Sequence, residues 1–168
     1  MPVTSKQWLT RGDGSAAVLL DLRVFPAQGV LEVVMKQYAR VLLDKALENK
    51  SVSADCLANH HCNAAANRLY YACYQAMLGC LHHFTGFRAP STNEHATVMA
   101  EFDKQFVQST QLIDQTTFRK IAELKNRRLQ ADYKPTHVSA EELWPLAKIL
   151  TPAILLMIRH AESKAEPT

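Results

Sequence analysis

Near the end of one helical pattern, the stretch RRLQADYKP, residues 127–135, sets two guanidinium groups, a carboxylate and a phenol close together. Arg128 and Asp132 are four apart and share a helix face, with Arg127 and Tyr133 beside it. A second polar group interrupts an otherwise small and apolar segment: Asn67, Arg68, Tyr70 and Tyr71. Arg68 and Tyr71, three apart, also share a face. His95 stands at the start of a third pattern, where the positive end of a helix dipole favours an anion. These residue types suit phosphate chemistry. A guanidinium binds phosphate oxygens through a planar fork of donors, and an imidazole moves protons near neutral pH. The same residues also admit a plainer role. Arg128 with Asp132 is an ordinary surface ion pair, worth roughly 0.2–0.5 kcal/mol. Arg68 can pair with an acid elsewhere, and His95 can simply cap a helix.

The elements that must hold these side chains are helices. The chain has 168 residues, of which 48% are apolar, enough for one domain with a real core. Five glycines and seven prolines are few for a turn-rich β fold. The net charge of +3 permits nucleic-acid binding without the strong basicity that argues for it. The N-terminal residues lack the order of a signal peptide. No stretch reaches the ~18 uninterrupted apolar residues of a membrane helix. The expectation is a soluble, cytoplasmic protein.

Residues 1–27 read as an arm, broken by Gly12, Gly14 and Pro26, ahead of a helical domain over 28–164. Apolar residues at Leu31, Val34, Met35, Tyr38, Val41, Leu42 and Ala46 predict an amphipathic helix. The stretch from Ser51 to Asp55 offers caps and predicts a restart. A second helix is predicted from about Ala54 to Phe84, with a stripe of small residues that admits a close neighbour. Gly86 and Pro90 end it. Ser91 and Glu94 form a capping box opening a helix through Val107. Phe118, Ile121, Leu124 and Leu129 mark a fourth helix, stopped by Pro135. Ser139 and Glu142 form a second capping box, opening a last helix that runs to about Glu162 and carries Pro145 in its early turns. Five helices with short loops predict an all-α, up-and-down bundle.

The cysteines predict no cross-link within a helix. Cys73 and Cys80 would stand about 10 Å apart along its axis, too far for a disulfide. Cys56, His60 and Cys62 invite a zinc reading, but their spacing matches no established finger pattern. No metal and no cofactor are expected.

Three stretches, NRLYYACYQAML, NEHATVMAEFDKQFV and RRLQADYKP, resemble in order and spacing a branch of the HEPN family. The resemblance spans roughly residues 30–160. These are small helical proteins, many encoded beside a minimal nucleotidyltransferase. The resemblance implies a four- or five-helix bundle paired as a homodimer. In catalytic members an arginine and, a few residues on, a histidine meet their copies at the dimer interface and cut RNA without metal. The ribose 2′-hydroxyl attacks the adjacent phosphate, the arginine stabilises the growing charge, and the histidine moves protons.

This chain departs from that pattern at the histidine. Asp132 and Tyr133 occupy the window, and His137 lies beyond Pro135. A carboxyl group near its ordinary pKa of ~3.9 is a poor acid at pH 7, and a phenol near ~10 is a weak one. The branch itself carries Arg-x-x-Ala-Asp-Tyr, matched here by Arg128, Ala131, Asp132 and Tyr133. The resemblance therefore implies a catalytic set of Arg127, Arg128, Asp132, Tyr133 and His95, with Asp132, Tyr133 or His95 supplying the missing proton carrier. It gives Arg68, Tyr71 and Asn67 to phosphate or nucleotide binding, Arg68 closing a pocket with Arg128 and His95. It makes Tyr133 the residue to which a nucleotidyltransferase partner would attach nucleotides. Two functions are expected from it. One is a toxin of a toxin–antitoxin or phage-defence pair that cleaves RNA without metal. The other is a non-catalytic module that binds nucleotide or RNA phosphate, or docks the nucleotidyltransferase. A helical scaffold whose motif only builds the dimer interface is a third.

Overall fold

The computed structural model describes residues 27–92 and 94–163, and of residues 27–33 only the backbone. The expected arm lies outside the described residues except for its last position, which opens the first helix. Among the described residues there are five α-helices and no strand. They are α1 (Ala27–Ala58), α2 (Cys62–Thr85), α3 (Glu94–Phe102), α4 (Gln115–Tyr133) and α5 (Ala140–Ser163), with a π-helical turn (Asp103–Ser109) continuing α3. The all-α bundle expected from the sequence is the architecture observed.

α2 is the central helix. Its small-residue stripe is buried along nearly its whole length, from Ala65 and Ala66 to Cys80 and Leu81. α1 lies antiparallel to it. Ser53 meets Ala65, Asn49 meets Gln75 and Tyr38 meets His82 along this seam. At Gly79 the two helices come so close that a Cβ would stand 2.7 Å from Leu43 Cδ2. α5 packs on another side of α2 through Leu143, Leu146, Leu150, Ile154 and Met157, and the Cys80 thiol donates to the Met157 carbonyl. The four cysteines are free, and Cys73 and Cys80 are buried.

The break between the first two helices falls later than the sequence predicts. The helix does not restart at Ser51–Asp55 but runs on to Ala58. Ser53, read as a cap, is buried instead and donates to the Ala65 carbonyl at 3.0 Å. α1 ends in a Schellman closure: His61 N–H donates to Cys56 O and His60 N–H to Leu57 O. Its left-handed residue is His60, at φ 61°, where glycine is usual. Nothing in the local sequence announces that choice.

The third helix also departs from expectation. α3 gives way after Phe102 to i→i+5 bonding. This wider turn brings Val107, five residues on, inward with Phe102 and Phe106. Glu94 does not spend its carboxylate on Ser91: it accepts from the Tyr74 hydroxyl. The later boundaries fall as predicted. Asp114 caps α4 by accepting from Thr117 N–H at 2.9 Å. Ser139 and Glu142 exchange the two bonds of a capping box. α5 passes through Pro145 and Pro152 without interruption.

Candidate functional site

Asn67, Tyr70, Tyr71 and Tyr74 recur along α2 at helical spacing, so they form one stripe at the edge of its buried face. α3 and α4 close over that stripe from two sides. On α4 the apolar positions Phe118, Ile121 and Leu124 face the core. One turn on, the same face presents Arg128 and then Asp132. Leu129, expected with the apolar set, is exposed instead. An arginine thus occupies a position the pattern reserves for a core residue.

Arg128 is held by three residues, Tyr71, Asp132 and Tyr133. Its Nη2 donates to the Tyr71 hydroxyl at 3.2 Å. Its Nε stands 2.7 Å from Asp132 Oδ2, while the N–H is not aimed at that oxygen, so the contact is one of charge more than of hydrogen bonding. Its guanidinium carbon lies 5.5 Å from the Tyr71 ring centre and 5.6 Å from that of Tyr133. The side chain is only 15% exposed, and that of Asp132 24%. Asn67 completes the arrangement, donating its amide to both carboxylate oxygens of Asp132 at 3.2 and 3.1 Å. Asp132 is thereby an acceptor that orients Arg128.

His95 enters from α3. Its Nδ1 lies 3.1 Å from the Tyr70 hydroxyl. Its ring stands 4.2 Å from Tyr74 and 6.3 Å from Tyr71. Burial holds the imidazole below its usual pKa. Glu94 pulls the other way, and the positive charges of Arg128 and Lys125 push it down further. Burial pushes the Tyr70 phenol up to about 12, against the pull of Arg128. Both are neutral at pH 7, with the Arg128 guanidinium close by.

Of the residues expected at a site, Asn67, Tyr71, His95, Arg128, Asp132 and Tyr133 come together. Tyr133 is 71% exposed and forms the outer lip. Two do not join them. Arg68 is exposed on the α1 side of α2 and donates to Asn49 at 3.2 Å, so it does not close a pocket with Arg128 and His95. Three residues apart on a helix leaves room for Arg68 to follow one neighbour and Tyr71 another. Arg127 turns to α5, where it pairs with Glu142 at 2.7 Å. Tyr70, Tyr74, Glu94 and Lys125 belong to the cluster and were not assigned to it from the sequence. The signal for the tyrosines was the spacing of Asn67, Tyr70, Tyr71 and Tyr74.

His60, His61, Cys62 and His137 line a separate surface cavity of about 410 Å3 at the α1–α2 turn. Among the described residues no three metal-binding side chains stand close enough to share an ion. No described helix is long and apolar enough to cross a membrane.

Arg128, the Tyr71 hydroxyl and the His95 imidazole stand together where α2, α3 and α4 meet. Chemically this can hold an anion such as a phosphate and stabilise charge that develops on it. Compared with known proteins, the chain matches no family model and no curated sequence.

Proposed function

We propose that this chain is a HEPN-type toxin module that works as a homodimer on RNA, with the Arg128–His95 cluster taking a phosphodiester for metal-independent cleavage. The observation that carries the reading is the meeting of His95 and Arg128 across Tyr71. The late helix has no histidine in its motif, and His95 from α3 brings an imidazole to the same cluster. Arg128 stabilises the charge that builds on phosphorus as the 2′-hydroxyl attacks. Asp132 and Asn67 fix the orientation of Arg128, and Arg127, paired with Glu142, is a structural residue. The exposure of Tyr133 suits it as the acceptor for a nucleotidyltransferase antitoxin.

One observation favours a second reading, a non-catalytic phosphate-binding or docking module. Arg128 is mostly covered, and Asp132 already balances its charge. Induced expression in a bacterium, wild type beside Arg128→Ala, separates the two. Cleavage predicts growth arrest and RNA with cyclic-phosphate ends in the wild type alone. Intact RNA in both cultures, with the folded protein present, would leave the binding reading.

A further inference from the structure

We infer that Tyr70 is a positioning residue that holds His95 as a neutral imidazole with its proton on Nε2, so that His95 meets a phosphate as a hydrogen-bond donor. The phosphate half of this rests on the reading just given; the hold of Tyr70 on His95 does not.

Tyr70 is 1% exposed, so its hydroxyl must find its partner inside the protein. Among the described residues that partner is His95 Nδ1, at 3.1 Å. A phenol with one neighbour donates to it, because the reverse orientation would bury the hydroxyl proton without an acceptor. Nδ1 then accepts, and in a neutral imidazole the proton must sit on Nε2. The surroundings keep both partners in these forms. Burial keeps Tyr70 protonated, with its pKa pushed up to about 12. Burial, Arg128 and Lys125 outweigh Glu94 in keeping His95 uncharged. Glu94, the carboxylate best placed to draw a proton onto the ring, is already engaged by the Tyr74 hydroxyl. Tyr74 also packs against the imidazole at 4.2 Å and limits its rotation.

This assignment gives His95 a definite part. Its Nδ1 lone pair is taken, so it has none to offer the 2′-hydroxyl proton. Its Nε2–H and the Arg128 guanidinium are both donors, suited to two oxygens of one phosphate. His95 binds and polarises the phosphate, and the 2′-hydroxyl proton passes to solvent water.

The test is long-range proton–nitrogen correlation NMR of the full chain, labelled at histidine nitrogens, at pH 7.5. His95→Gln identifies the His95 signals by their loss. The expected spectrum shows a protonated Nε2 and an unprotonated Nδ1. Tyr70→Phe should collapse the separation between the two nitrogen shifts as the tautomers mix. A wild-type His95 protonated on Nδ1, averaged between tautomers or doubly protonated would overturn the assignment. So would a Tyr70→Phe spectrum identical to wild type. If Tyr70→Phe does not fold, the wild-type spectrum alone decides. Inorganic phosphate should then move the His95 Nε2 signal in the wild type and much less in Arg128→Ala. An unmoved signal with the tautomer intact would remove the phosphate role and leave the hold of Tyr70 standing.

Discussion

Asn67 on α2 and Asp132 on α4 are joined by two hydrogen bonds, one amide nitrogen serving both carboxylate oxygens at 3.2 and 3.1 Å. The bond fixes a carboxylate whose other neighbour is a nearly covered guanidinium, and the cost of removing either partner follows from that. Asp132→Ala removes the ion-pair partner of Arg128 and should lower unfolding free energy by about 1–3 kcal/mol. Asn67→Leu should cost less, about 1 kcal/mol, because Arg128 remains to pair Asp132. Urea denaturation of the two variants and the double variant measures the coupling. Strict additivity would show that the two side chains act independently.

Tyr71 serves Arg128 twice, through its hydroxyl and its ring. Tyr71→Phe removes the acceptor and keeps the ring. It should destabilise by about 1 kcal/mol, and Tyr71→Leu should cost more. Thermal melts rank them, and equal losses would mean that the ring contact contributes nothing.

Gly79 sits where α1 presses on α2. An added Cβ would stand 2.7 Å from Leu43 Cδ2 and 3.0 Å from its Cγ. Gly79→Leu should destabilise by about 1–3 kcal/mol as Leu43 is displaced. Adding Leu43→Ala to it should recover part of the loss. A melt unchanged in Gly79→Leu would show that the seam has room to spare.

His60 closes α1 at φ 61°, a conformation that strains a side chain bearing Cβ. His60→Gly should therefore stabilise the protein by about 0.5–1 kcal/mol, despite the freedom glycine adds to the unfolded chain. Chemical denaturation checks the sign. A loss would mean that the imidazole makes up for its backbone.

Burial first, and then nearby positive charge, lowers the pKa of both His82 and His95 from 6.5. The unfolded chain then binds protons that the folded chain refuses. Stability from these groups is complete above the unfolded value of 6.5 and is lost as pH falls from there toward the folded values. Denaturation midpoints across that interval should fall with pH, and His95→Gln should flatten the slope. A slope unchanged by that substitution would remove His95 from the account.

The sequence made the bundle legible because its apolar spacings are helical and its turns carry clear punctuation. The Ser139–Glu142 box and Pro135 placed their boundaries well. The α1–α2 boundary was not legible. A buried serine looks like a cap until its partner, Ala65, is known, and a left-handed histidine leaves no mark of its own. At the site, the Arg128, Asp132 and Tyr133 grouping was visible along one helix. What was hidden is which neighbour each polar residue faces. Arg68 and Arg127 are as charged as Arg128, yet packing sends one to α1 and the other to α5. Tyr70 stood out as polar without a partner to assign, and Tyr74 did not stand out, because their hydroxyl partners lie on a helix that follows α2 in the chain.

The antiparallel seam of α1 and α2, closed by a three-residue turn, has a consequence for how the protein is made. A growing polypeptide leaves the ribosome N-terminus first, and neighbouring segments pair early. The α1–α2 hairpin can form while α4 is still untranslated. The stripe from Asn67 to Tyr74 is then laid down with no arginine opposite it. His95 arrives with α3, and Arg128 and Asp132 come last. In a nascent chain the cluster of Tyr71, His95, Arg128 and Asp132 is therefore incomplete until α4 has docked.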